Sequence, residues 1–223
     1  ATTEIYTLSL HDALPIFTTK HQVFMSATID KRSFCESMGL DPEKVAMVDA
    51  PRSPFPIEHR SVQLLNTRRL SYRSTPEDEA AVISEIDRIM TEHASHRGLV
   101  LTSSVSRCYD ILNGLSPENA RRARICHSTN NSSGKTQAEI LQEHADDPAG
   151  VLLSSSLWEG VVLKDDLSRF QIIAKVPYPP YNDRRIRAKT EKSRAWYTAQ
   201  TLRKFLQGLG RSVRSSDDWA KKI

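Results

Sequence analysis

The chain has 223 residues, 39% of them apolar and 26% charged, which suits one complete α/β domain and part of a second. Its apolar runs are too short to cross a bilayer and its three cysteines lack paired spacing, so we expect a cytoplasmic protein with no membrane partner. The net charge of +4 is uneven, because residues 183–223 carry 12 Lys/Arg against 4 Asp/Glu, which indicates either a phosphate-binding patch or a solvated helix face.

Residues 1–16 resemble a translated sequencing adapter, because a common adapter oligonucleotide encodes them without a mismatch. The alternative is a native strand with Leu8 and Leu10 buried. We exclude the segment from fold reasoning and expect the remainder to be a piece of a longer protein.

The next part of the chain predicts the end of a first domain. Residues 21–28 form a short apolar run typical of a strand, and residues 31–38 have the spacing of an amphipathic helix that ends at Gly39. Three prolines follow closely and exclude both helix and central strand. We therefore divide the chain into residues 17–50, a Pro-rich linker over 51–59, and a second domain over 60–223.

Strands and helices are expected to alternate in the second domain. Extended segments are predicted at residues 60–65, 98–101, 124–127, 151–153 and 171–176, and helices at residues 76–93, 104–115, 136–144, 183–189 and 193–210. This order is typical of a doubly wound parallel sheet, whose ligands bind at the carboxyl ends of the strands. The domain is expected to be incomplete, because the chain ends before the last strand of such a sheet.

The strongest chemical signal is the pattern Q-x-x-G-R-x-x-R from Gln207 to Arg214. On a helix, Arg211 and Arg214 would share one face, and permanently charged guanidiniums suit the oxygens of a transferring phosphoryl group. Gly210 is expected to permit close backbone approach. The alternative is a solvated basic helix end.

A second signal is the hydroxyl-rich turn over residues 154–160, directly after a predicted buried strand. Hydroxyls and backbone N–H groups at such a position can hold phosphates. Trp158 in this turn either stacks on a base or packs against the edge of the sheet.

Together these segments resemble the XPD/DinG group of superfamily 2 DNA helicases. Residues 207–214 resemble motif VI of that group, 154–180 motif V, 98–104 motif IV, 24–29 motif III and 53–56 its interdomain linker. The resemblance implies a RecA-like α/β fold, with the end of a first motor domain followed by a second motor domain. Val162 departs from the family pattern, which has Asp there, and is either a sequence error or real divergence.

The resemblance also implies roles for individual residues. Arg214 is expected to be the arginine finger and Arg211 to assist at the phosphates. The other expected sites are nucleotide coupling by Gln207, Gly210, Glu159, Gly160 and Asp218, DNA contact by Thr102, Ser103, Ser104, Ser156 and Trp158, and a motif III relay through Ser26, Ala27 and Thr28.

The expected ligands follow from the same resemblance. ATP and Mg²⁺ would be held mainly by the missing N-terminal motor domain, and single-stranded DNA would be the other partner. An iron–sulfur cluster is possible only in that missing half, and no metal site is expected in this chain. We therefore expect the fragment alone to be unable to hydrolyse ATP.

Some alternatives remain open. Residues 133–136 look like the tail of a phosphate-binding P-loop but lack its glycines, so we interpret them as a helix N-cap region. The whole chain could also be a non-motor nucleic-acid-binding RecA-like module, or part of an ATPase subunit of a nuclease or restriction system.

Overall fold

The structure is a computed structural model that describes residues 22–26, 28–49, 53, 55–68, 70–71, 73–127 and 134–223. The chain divides into two compact units, Ala1–Ala50 and Pro51–Ile223. No helix within the described ranges is long and apolar enough to cross a membrane. The adapter-like segment lies outside the described residues.

The first unit contains the helix that the sequence predicts. Helix α1 (Lys31–Met38) begins at Asp30, whose carboxylate accepts from the N–H of Ser33 at 2.8 Å, and ends at Gly39 with a φ of 67°. The predicted helix and its glycine cap are therefore confirmed. The strand predicted over residues 21–28 is wrong for the described residues, because residues 22–26 and 28 belong to no strand and residues 22–26 are exposed. A strand is stable only beside a partner, and the described part of this unit supplies none.

The second unit is built on a five-stranded parallel sheet. Its strands are β1 (Gly98–Leu101), β2 (Ala123–Ile125), β3 (Val151–Ser154), β4 (Phe170–Ile173) and β5 (Lys221–Lys222), in the order β2-β3-β1-β4-β5. The predicted doubly wound parallel α/β fold is thus confirmed. Strand β5 is not among the predicted segments; it pairs with β4, and Lys222 also bridges to Val62.

Six helices flank this sheet in the described residues of the second unit. They are α2 (Pro76–Glu92), α3 (Val105–Gly114), α4 (Pro117–Arg122), α5 (Gln137–Asp146), α6 (Arg184–Lys192) and α7 (Arg194–Leu209). Capping boxes at Thr75 and Thr136 start α2 and α5. Helix α4 is not predicted from the sequence, because its single apolar position leaves no helical periodicity in six residues.

The strands are apolar throughout because both faces of the sheet are covered. Val100 packs in a cluster with residues of α2 and α3, whereas Leu99 and Leu101 pack in a second cluster with Ile140 of α5. Burial on both sides is typical of a parallel sheet. Since all five strands are parallel, their carboxyl ends share one edge, and the candidate site lies there.

Candidate functional site

Two hydroxyl-rich turns lie side by side at the carboxyl edge of the sheet. One follows β1 and carries Thr102, Ser103 and Ser104, and the other begins at Ser154, the last residue of β3. The N–H of Thr102 donates to the carbonyl of Ser154 at 2.9 Å, which joins the two turns directly. The strand order therefore brings together two segments that are 50 residues apart in the sequence.

Ser154 holds the second turn in place, although its side chain is buried. Its Oγ donates to the carbonyl of Cys126 at 2.5 Å and accepts from the N–H groups of Ser156 and Leu157, each at 3.1 Å. The sequence identifies this turn only as rich in hydroxyls and gives no reason to single out Ser154. Its role depends on Cys126, which directly follows β2.

Trp158 and Thr102 are buried under the two turns and are joined by a hydrogen bond. The indole ring is 1% exposed, and its Nε1 donates to the carbonyl of Thr102 at 3.1 Å. Thr102 is itself fully buried, and its hydroxyl has no hydrogen-bond partner among the described residues. The alternative that Trp158 packs against the sheet is therefore confirmed, and both side chains are buried at the edge where DNA contact is predicted.

The remaining predicted DNA contacts lie nearer the surface. Ser103 is exposed, and Ser104 is the N-cap of α3, where its Oγ accepts from the N–H of Arg107 at 3.3 Å. Ser156 is half-buried in the neighbouring turn. The structure thus leaves three hydroxyl-bearing residues near the surface of this edge.

The turn after β3 ends in an exposed segment. Glu159 and Gly160 are both exposed, and Gly160 has a φ of 82°, which residues with a Cβ rarely adopt. Val162, which stands where the family has Asp, is 51% exposed. A carboxylate at that position would therefore reach solvent without disturbing the core.

The segment from Gln207 to Arg214 differs from its prediction. Helix α7 ends at Leu209, so Arg211 and Arg214 follow the helix and do not share a helical face. Gly210 has a φ of −80°, and a Cβ there would meet only carbonyl oxygens at 3.5 Å or more. The close approach expected of Gly210 occurs instead at Gly208, where a Cβ would lie 2.5 Å from the ring of Trp158.

Arg211 joins this segment to the turn after β3. Its Nε donates to the carbonyl of Gln207 at 3.0 Å and its Nη1 donates to the carbonyl of Val161 at 2.7 Å. Burial lowers the pKa of Arg211, and repulsion from Arg214 lowers it further, whereas Glu159 raises it. Because two of its five donors bond to carbonyls of this chain, Arg211 positions the loop.

Arg214 is exposed, and its guanidinium makes no hydrogen bond or ion pair with any residue that the structure describes. Its backbone N–H donates to Oδ2 of Asp218 at 3.1 Å. Asp218 is 2% exposed, also accepts from the N–H of Asp165 at 3.2 Å, and pairs with Arg169 at 2.9 Å. Asp218 therefore braces the Arg214 loop from inside the domain and joins it to Asp165 and Arg169.

A buried polar network behind the loop has no signal in the sequence apart from one glutamine in an apolar strand. Gln171 of β4 donates through Nε2 to the carbonyl of Gly208 at 2.7 Å, and its Oε1 accepts from Ser212 at 3.3 Å. The hydroxyls of Ser212 and Ser168 lie 2.8 Å apart. The network ties the central sheet to the segment that carries both candidate arginines.

The other predicted sites are more local. In the first unit, Ser26 and Thr28 are joined by a hydrogen bond from the N–H of Thr28 to Ser26 Oγ at 3.2 Å, while Ala27 lies outside the described residues. In the second unit, Thr136 accepts from the N–H of Glu139 at 3.3 Å and begins α5. The N-cap interpretation of this region is therefore confirmed.

A family model described as the helicase C-terminal domain matches residues 86–223, which is more than half of the chain and spans all five strands. No curated protein matches.

Proposed function

This chain belongs to the helicase C-terminal domain family, and from that premise we propose that it is the second motor domain of an ATP-dependent DNA helicase similar to the XPD/DinG group. The observation that carries the proposal is the exposed guanidinium of Arg214, unengaged by the described residues and held on a loop that buried Asp218 braces. A permanent positive charge on a braced loop suits a phosphoryl group that gains charge at its outer oxygens.

In this proposal the nucleotide lies between this domain and a preceding motor domain. ATP and Mg²⁺ are held mainly by the preceding domain, as the resemblance implies. Arg214 approaches the γ-phosphoryl group as the domains close. Arg211 fixes the loop by bonding to Val161 and Gln207, and Glu159 lies close enough to act on its charge.

Single-stranded DNA is proposed to cross the carboxyl edge of the sheet. Hydroxyls and backbone N–H groups at strand ends are suited to phosphate contacts, which position a strand without reading its sequence. Ser103, Ser104 and Ser156 supply these groups, and buried Trp158 and Thr102 support the two turns that carry them.

The test is the DNA-stimulated ATPase rate of a longer protein in which this chain follows its preceding motor domain. We expect Arg214→Ala to lower kcat by about 10³–10⁵-fold, as for loss of an arginine finger. Arg121→Ala, an exposed arginine on α4, is the matched control and should leave kcat unchanged. ATP turnover by the present chain alone, abolished by Arg214→Ala, would contradict the proposal.

A second candidate function is favoured by Val162. If the missing Asp is real divergence, the domain binds nucleic acid without transmitting nucleotide state to it. In the longer protein, Val162→Asp should then raise DNA-stimulated turnover, while the affinity for single-stranded DNA stays constant. The exposure of Val162 makes this substitution compatible with the fold.

A further inference from the structure

Three tyrosines form a fixed aromatic cluster beyond β4. Tyr178 and Tyr181 are 61% and 49% exposed, and they flank Tyr197 of α7. Tyr178 stacks on Tyr197 with ring centroids 6.0 Å apart and planes at 15°, and Tyr181 meets it edge-on at 6.3 Å. Tyr197 donates to the carbonyl of Pro179 at 2.9 Å, which anchors the cluster. Two large aromatic faces are therefore held at the surface.

Three exposed arginines lie in the first turn of α6, and one of them, Arg187, lies beside this cluster. The guanidinium of Arg187 lies 5.8 Å from the ring centroid of Tyr181. Arg184, Arg185 and Arg187 are exposed, and none of their side chains makes a hydrogen bond or ion pair with a described residue. Their charges do not stabilise the helix, because they lie in its first turn and the N-terminal end of a helix carries partial positive charge.

We propose that the surface formed by Tyr178, Tyr181, Arg184, Arg185 and Arg187, the tyrosine–arginine surface, binds single-stranded DNA. Exposed aromatic rings beside unpaired cations are the two elements that hold single strands, because bases stack on the rings and phosphates contact the cations. The surface is distinct from the hydroxyl-rich turns. It adds a DNA contact to the proposed function but does not depend on ATP hydrolysis.

A single strand fits this surface better than a duplex. The faces of the two tyrosines are useful only to bases that are not already stacked and paired. The excess of positive charge in residues 183–223 supplies the attraction to phosphate, since the rest of the chain is mildly acidic.

The experiment measures binding of a fluorescein-labelled dT20 oligonucleotide to the 223-residue chain by fluorescence anisotropy, without ATP. We expect the double variant Tyr178→Ala/Tyr181→Ala to bind about tenfold more weakly, because two stacking faces are lost. The matched variant Tyr178→Phe/Tyr181→Phe keeps both rings and should remain within about twofold of the original chain. Thermal melting of each variant checks that it is folded.

The same assay tests the cations through its dependence on salt. Arg184→Ala and Arg187→Ala should each reduce the slope of log affinity against log salt by about 0.7, the value for one phosphate contact on a single strand. Arg121→Ala, outside the surface, should leave the slope unchanged. A 20-base-pair duplex should bind about tenfold more weakly than dT20.

Equal affinity of the folded Ala/Ala variant and the original chain would overturn the proposal, and so would equal binding of duplex. The motor proposal fails or stands separately, because it is judged from ATP turnover at saturating DNA in the longer protein. Loss of oligonucleotide binding in the Ala/Ala variant therefore supports this surface even if Arg214→Ala leaves turnover intact.

Discussion

The arginines that directly precede β1 and β2 differ from those of α6 in the hydrogen bonds that they make. Arg122 donates to the carbonyls of four residues, Met90, His93, His96 and Ala149, and Arg97 donates to those of four others, His144, Ala145, Asp147 and Asp166. Arg184, Arg185 and Arg187 make no such bond within the described part of the chain. The first group closes helix ends, and the second group faces solvent.

The difference lies in what surrounds each side chain. The last carbonyls of a helix have no partner inside it, and a buried guanidinium with five donors satisfies several of them at once. Arg122 does this for α2, and Arg97 does it for α5. A guanidinium far from such carbonyls keeps its charge available for a ligand, as proposed for Arg214 and the tyrosine–arginine surface.

The sharpest test of the comparison is Arg122→Met. We expect it to lower the free energy of unfolding by about 3–4 kcal/mol, because four carbonyls lose their donor while the apolar stem is kept. Urea denaturation followed by circular dichroism measures the change. Arg121→Ala on the same helix is exposed and should shift the value by at most about 0.5 kcal/mol. Similar losses in both variants would contradict the distinction.

The same contrast separates the features that the sequence predicts from those that it does not. The parallel sheet and five of its six helices follow from apolar periodicity and capping residues, which are local signals. The partners of Arg122 cannot be predicted in the same way, because the carbonyl of Ala149 lies 27 residues away and is reached only through the fold.

Within the candidate site the same limit applies. The pattern from Gln207 to Arg214 locates the segment, but its helical reading fails because α7 ends at Leu209. Trp158 and Thr102 are expected to contact DNA from their resemblance to motifs V and IV, yet both side chains are buried and support the turns from inside. A motif places a segment at the strand ends, whereas packing decides which of its side chains reach solvent.

Lys222 is also a buried cation, but among the described residues its ammonium group donates to no carbonyl, unlike the guanidinium of Arg122. Burial lowers the pKa of Lys222 to about 8, with repulsion from Arg60 acting in the same direction and Asp218 opposing it. Between pH 8 and 10.5 the unfolded chain keeps a proton that the folded chain releases, so the free energy of unfolding rises with pH in this window.

Lys222→Met should therefore be more stable than the original chain at pH 7, by at most about 3 kcal/mol. The advantage should shrink as the pH rises through 8 towards 10.5, because the original chain then folds with a neutral amine. Paired urea titrations at pH 7, 9 and 10 measure the difference and cancel titrations common to both proteins. A difference that is constant over this range would show that Lys222 keeps its proton when folded.

Two glycines near the end of α7 differ in the space around them: Gly208 is tightly packed and Gly210 is not. Gly208→Ala should lower the free energy of unfolding by about 2 kcal/mol, because its Cβ would overlap the ring of Trp158. Gly210→Ala, two residues on, has room for a Cβ and an ordinary φ, and should change stability by at most about 0.5 kcal/mol. Differential scanning calorimetry compares the two. If Gly210→Ala were the more harmful, the close approach would have to lie at the helix end.

The smallest expected effect separates the two arginines of the loop. Arg211→Ala should lower the free energy of unfolding by about 1–2 kcal/mol, since the carbonyls of Gln207 and Val161 lose their donor. Arg214→Ala should lower it by at most about 0.5 kcal/mol, because its guanidinium is exposed and its backbone N–H still bonds to Asp218. Chemical denaturation of both variants in parallel gives the difference directly. An Arg214 variant as unstable as the Arg211 variant would mean that both guanidiniums serve the fold, and that neither is kept free for a phosphate.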